Sequence, residues 1–104
     1  MRRLPPSWSV YLVRCGDGTL YCGIARDVNA RIAAHIAGKG ARYTRGRGPL
    51  VLLAEHRCRD QGTALRIERA IKKLPRDEKV AAAADGRRWA AIARAVRIRG
   101  KPGR

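Results

Sequence analysis

The chain has 104 residues, enough for one domain with a modest core, and 45% of them are hydrophobic, which excludes a disordered tail. It carries 24 Lys and Arg against 8 Asp and Glu, a formal charge of +16. Such self-repulsion points to a polyanionic partner, nucleic acid ahead of an anionic membrane surface.

Residues 1–7 read as an N-terminal extension, basic but without the apolar run of a signal peptide. Residues 8–15, WSVYLVRC, are β-branched and aromatic and predict a strand. Gly16-Asp17-Gly18 is a turn, and 19–25, TLYCGIA, is the returning strand of a hairpin. Asp27 predicts a helix N-cap, and Val28, Ile32 and Ile36 give a helix over 28–37 that Gly38 stops. Residues 38–48, GKGARYTRGRG, form a basic, glycine-rich loop. Residues 50–57 predict a third strand, whose unbroken run LVLLA is expected to be covered on both faces. A second helix over 61–74 ends at Pro75, and a helical pair follows near 76–84 and 85–97, with Trp89, Ile92, Ala93 and Val96 on one apolar face.

Residues 98–104 are expected to be a flexible basic tail, leaving 8–97 as the domain. The order β-β-α-β-α-α predicts an α/β fold, a small three-stranded mixed sheet flanked by helices. No run approaches the ~20 apolar residues of a membrane span, so no membrane partner is expected. Cys15, Cys22 and Cys58 lack CxxC spacing, which argues against zinc and for reduced thiols in a cytoplasmic protein.

If Cys15 faces Thr19 across the turn, Val13 faces Tyr21 and Tyr11 faces Gly23, so these four share one sheet face. Tyr11 and Tyr21 become diagonal neighbours, with Gly23 leaving space beside Tyr11. Taken alone, the pair is read first as packing of a ring over a cross-strand glycine, the usual use of aromatics, ahead of a site. Arg31 lies near the rim of the helix-one stripe, with His35 one turn on. Each has an ordinary reading, a snorkelling arginine and a half-buried histidine with a backbone partner. In the second helix Arg66, Arg69 and Lys73 form a basic face opposite Ala64, Ile67, Ile71 and Leu74. Glu68, the lone acid there, is either the partner of Lys72 at i,i+4 or a ligand for a hard divalent cation.

Taken together, Ser9-Val10-Tyr11, Tyr21-Cys22-Gly23, Arg31 in RDVNARI, the segment HIAGKGARYTRGRGP and Glu68 resemble the GIY-YIG nuclease superfamily, in its small stand-alone bacterial branch. The resemblance spans roughly residues 8 to 84. Ser9 stands for the usual glycine and Cys22 for the usual isoleucine. Ile24 occupies a position where some branches carry a lysine, whose role falls elsewhere or is absent.

The resemblance implies a metal-dependent DNA endonuclease, structure-guided or weakly sequence-selective. Glu68 would hold Mg²⁺ or Mn²⁺, and Tyr11 would orient water and take its proton, with positive charge lowering its pKa. Arg31 would grip the scissile phosphate, Tyr21 would donate to it or position Tyr11, and His35 would assist proton transfer. In the loop, Lys39, Arg42, Arg45 and Arg47 are candidates for phosphate contacts and Tyr43 for base stacking, against the plain reading of a solvated charged loop. The expected partner is DNA, branched, single-stranded or damaged, with RNA left open. The competing readings are a non-catalytic nucleic-acid-binding module on the same fold and a basic structural protein.

Overall fold

The computed structural model describes residues 7–37 and 48–100. The elements run β1 (Trp8–Arg14), β2 (Leu20–Ala25), α1 (Val28–Ile36), β3 (Val51–Cys58), α2 (Gln61–Lys72), α3 (Arg76–Ala84) and α4 (Gly86–Gly100), one helix more than the expected β-β-α-β-α-α order because the C-terminal helical pair is two separate helices. Each begins or ends where local chemistry dictates. Cys15 N–H donates to the Thr19 carbonyl at 2.8 Å and Gly18 N–H to the Cys15 carbonyl at 2.9 Å. Gly18 sits at φ +88°, the left-handed position that closes a three-residue hairpin loop. Asp27 caps α1 by accepting from Ala30 N–H at 3.0 Å.

Asp60 caps α2 by accepting from Thr63 N–H at 2.8 Å. That helix stops at Lys72 rather than 74, because the residue before Pro75 is pushed out of the helical region. Asp85 breaks the C-terminal pair with an extended backbone and accepts from Arg87 N–H at 3.0 Å. The last helix, expected to end at 97, continues to Gly100.

The strand order is β2-β1-β3, with β1 in the middle. Both pairings are antiparallel, which corrects the expected mixed sheet. The helix-bearing connection from β2 to β3 does make two strands that run the same way, but β1 lies between them. The register of the first hairpin is the expected one, Tyr11 opposite Gly23 and Val13 opposite Tyr21. A bulge between Leu12 and Val13 shifts the pairing with β3.

Central position buries β1 on both faces. Val10, Leu12 and Cys22 pack with Ala64, Ile67 and Ile71 of α2, Ala82 of α3, and Trp89, Ala93 and Val96 of α4. On the other face Tyr11, Val13 and Ala25 pack with Val28, joined by Tyr21 and Ile32. Fully burying side chains such as Ile67 and Ile71 stabilises the fold by roughly 1.5–3 kcal/mol each.

Two apolar expectations differ. β3 is an edge strand, and Val51 and Leu52 stay 44% and 38% exposed, so its apolar run is not covered on both faces. On α1, Ile36 is 64% exposed while His35 is buried, so the inward face passes through Val28, Ile32 and His35. Cys15, Cys22 and Cys58 are buried and form no disulfide among the described residues. Among the described residues, no helix is long and apolar enough to cross a membrane.

Candidate active site

The second sheet face carries an aromatic and cationic cluster instead of a wholly apolar core. Tyr11 is 1% exposed, and its hydroxyl lies 3.0 Å from His35 Nε2, which α1 brings over the sheet. Hydrogen bonding is what makes a buried hydroxyl tolerable. The ring centroids stand 6.3 Å apart for Tyr11 and Tyr21, 6.3 Å for Tyr11 and His35, and 5.5 Å for Tyr21 and His35. The His35 contacts are edge-on, the geometry that suits aromatic quadrupoles. Gly23 makes the arrangement fit: a Cβ there would stand 2.7 Å from the Tyr11 hydroxyl and 3.0 Å from the Tyr21 ring.

Burial pushes the Tyr11 phenol up to about 12, with Tyr21 adding to the rise. Arg31 opposes it through a side-chain hydrogen bond and its charge, but does not prevail. The lowered pKa expected for Tyr11 is therefore corrected, because desolvation of a buried phenolate outweighs one partly solvated guanidinium. Burial also lowers His35, helped by Arg31, so its imidazole is neutral at pH 7. An arginine can only donate, so the Tyr11 oxygen accepts from Arg31. The hydroxyl proton then points to Nε2 when His35 carries its own hydrogen on Nδ1. On its Nε2 side, His35 is engaged by the Tyr11 side chain.

Glu68 approaches from the other side. Helix α2 packs on the opposite face of the sheet, yet β2 is an edge strand, so side chains of α2 can reach round it. Glu68 and Lys72 act electrostatically on Tyr21 from α2, and Arg31 does so from α1. Burial is the first cause of the raised Tyr21 pKa, and Lys72 and Arg31 both pull against it. The Glu68 side chain is 14% exposed and its Oε2 lies 3.3 Å from Lys72 Nζ, so the i,i+4 pair is formed. Cys22, beside Glu68, is pushed up to about 12 by burial and then by that carboxylate, which makes it an inert thiol.

Four of the residues singled out in the sequence thus gather: Tyr11, Tyr21, Arg31 and His35, with Gly23 beneath and Glu68 at the strand edge. Lys39, Arg42, Tyr43, Arg45 and Arg47 lie outside the described residues. The residue underweighted by sequence reasoning is Lys72. Its spacing from Glu68 was legible, but its closeness to Tyr21 depends on which sheet edge α2 borders.

As for a metal, no group of three or more His, Cys, Asp and Glu side chains comes together among the described residues. One carboxylate does not suit zinc, which takes three or four protein ligands. It does suit Mg²⁺ or Mn²⁺, which keeps waters and borrows phosphate oxygens from the substrate.

The fold sets helices on both faces of a three-stranded antiparallel sheet and presents paired hairpin tyrosines, a helix arginine and a glutamate from a second helix. Residues 7–81 match the GIY-YIG catalytic domain, and the chain belongs to that family, a nuclease family whose substrates are nucleic acids and whose members generally depend on a divalent metal. It is 50% identical over 74 residues to a UPF0213 protein of Nitratidesulfovibrio vulgaris, covering 71% of this chain and 67% of that one. It is 46% identical over 74 residues to the UPF0213 protein XAC3202 of Xanthomonas axonopodis pv. citri, covering 71% and 72%. The solution NMR structure of the UPF0213 protein BH0048 from Bacillus halodurans shares 38% identity over 81% of this chain and 93% of that one, with a TM-score of 0.49.

Proposed function

We propose that the protein is a divalent-metal-dependent DNA endonuclease, structure-guided or weakly sequence-selective, acting on branched, single-stranded or damaged DNA. The reading rests on one observation: the buried Tyr11 hydroxyl, held 3.0 Å from a neutral His35 and bonded by Arg31, in a cluster that Glu68 borders. A core built for packing alone has no use for this many polar groups.

With a phenol near 12, Tyr11 is not a standing phenolate at neutral pH. It works as a relay. The hydroxyl oxygen accepts a proton from the attacking water while its own proton passes to His35 Nε2. The water oxygen bonds to phosphorus and the bond to the leaving oxygen breaks. Arg31, exposed on α1, forks onto the non-bridging oxygens and offsets their growing charge. Tyr21 donates to the same phosphate. Glu68 would hold the cation, which when bound offsets charge on the phosphate and the leaving oxygen. The formal charge of +16 supports capture of the polyanion.

Nicking of supercoiled plasmid in Mg²⁺ or Mn²⁺ by the wild-type chain, lost in Glu68→Ala and Tyr11→Phe, is the expected result. Equal nicking by wild-type and Glu68→Ala would trace the activity to a contaminant and refute the assignment. The same assay on RNA separates the two substrate classes. One observation favours a second reading, a non-catalytic nucleic-acid-binding module: the Lys72 ammonium already balances the Glu68 charge without a metal. Tight DNA binding with no metal-dependent cleavage would establish it.

A further inference from the structure

The Lys72–Glu68 pair is lopsided. The Lys72 side chain is 53% exposed and Glu68 only 14%. An i,i+4 pair with its ammonium in solvent adds little to helix stability, so stability alone is a poor account of an ammonium at this place. Lys72 is also the leading charge acting on Tyr21, ahead of Arg31, and the two reach that tyrosine from different helices. With Lys79 of α3, Lys72 borders a cavity of about 190 Å³ whose other walls are Leu12, Leu20, Tyr21 and Cys22. The β2 edge therefore has cations on both sides of Tyr21, Arg31 on one and Lys72 with Lys79 on the other. A lysine is a point charge on a long flexible stem, able to change partners without moving its backbone.

We propose that Lys72 exchanges partners: in the free protein its ammonium neutralises Glu68, and when a divalent cation takes that carboxylate the ammonium turns to a nucleic-acid phosphate beside Tyr21. The proposal rests on the reading of Glu68 as the metal ligand. Its consequence is that one side chain weakens metal binding and strengthens nucleic-acid binding. A lysine that merely pins helix α2 would do neither.

The full chain is compared as wild-type, Lys72→Met and Glu68→Gln. Mn²⁺ affinity is read by electron paramagnetic resonance, and affinity for a labelled single-stranded oligonucleotide by anisotropy over a salt series. Lys72→Met is expected to bind Mn²⁺ about fivefold more tightly, since a competing cation is gone. It is expected to bind the oligonucleotide more weakly, with a salt slope shallower by about 0.7, the value of one lost phosphate contact on a single strand. Opposite signs in one folded variant are not produced by general damage. Unchanged or weaker Mn²⁺ binding in Lys72→Met, with binding abolished in Glu68→Gln, overturns the exchange and leaves the metal ligand standing. An unchanged oligonucleotide affinity and slope overturns it as well. Wild-type Mn²⁺ affinity in Glu68→Gln refutes Glu68 as the ligand, and the exchange falls with it.

Discussion

Replacing Gly23 by alanine is the sharpest test of the tyrosine geometry. The new Cβ would stand 2.7 Å from the Tyr11 hydroxyl oxygen, 2.8 Å from Cζ and 3.0 Å from the Tyr21 ring. Ordinary contact begins at 3.4 Å, so the Tyr11 ring must withdraw by ~0.7 Å. A hydroxyl at the end of a flexible exposed side chain would swing away cheaply. Tyr11 is 1% exposed, with His35 on one side and β2 on the other, so the ring and the 3.0 Å bond to Nε2 must shift together. Overpacking of this kind costs about 1–3 kcal/mol. The backbone at Gly23 has no positive φ, so alanine also regains roughly 0.5–1 kcal/mol of chain entropy in a strand. Net destabilisation is therefore small, about 0–2.5 kcal/mol. Misplacing a reacting group by most of an ångström costs on the order of 100-fold in rate. Urea denaturation and plasmid nicking on the same preparation should then diverge, with stability nearly kept and activity nearly lost. Full activity with unchanged stability would mean that Tyr11 is not held against Gly23, and the site argument would fail.

Three further outcomes are expected. In alkaline absorbance titration one of the three tyrosines should ionise near pH 12, and Tyr11→Phe should remove that step. Because the folded value lies above the ordinary 10.0, the associated stability is full below about pH 10 and is lost as pH rises toward 12, amounting to roughly 3 kcal/mol at most. His35 behaves in the opposite sense: its folded pKa is below the ordinary 6.5, so the unfolded chain takes up the proton first and the melting temperature should fall as pH drops below about 6.5. His35→Gln should flatten that decline, and an equally steep one would place the acid sensitivity elsewhere. Arg31→Lys keeps the charge but loses the fork, so nicking should drop by at least about tenfold with little change in melting temperature; full activity would show that a point charge suffices.

The hairpin was readable because its chemistry is local. Gly16-Asp17-Gly18 specifies a short turn, and once Cys15 meets Thr19 every later pair follows, including Tyr11 with Gly23. Asp27 as a cap and Pro75 as a stop were equally local. Strand pairing with β3 was not, since an apolar run such as LVLLA looks the same in a central strand and at an edge. Sequence spacing also favoured Ile36 for the inward face of α1. The burial of His35 instead depends on a hydroxyl acceptor or donor across the sheet, which α1 cannot announce by itself.

By itself, then, the sequence determined where the strands and helices fall along the chain, the hairpin register and the cationic balance, because each follows from composition or from neighbours along the chain. The tertiary structure alone decided that β1 is central and both pairings antiparallel, that Tyr11 is raised by burial rather than lowered by charge, and that Glu68 and Lys72 border Tyr21. Those outcomes depend on which face each helix covers and on how much water remains there. Desolvation and edge position are properties of packing between distant segments.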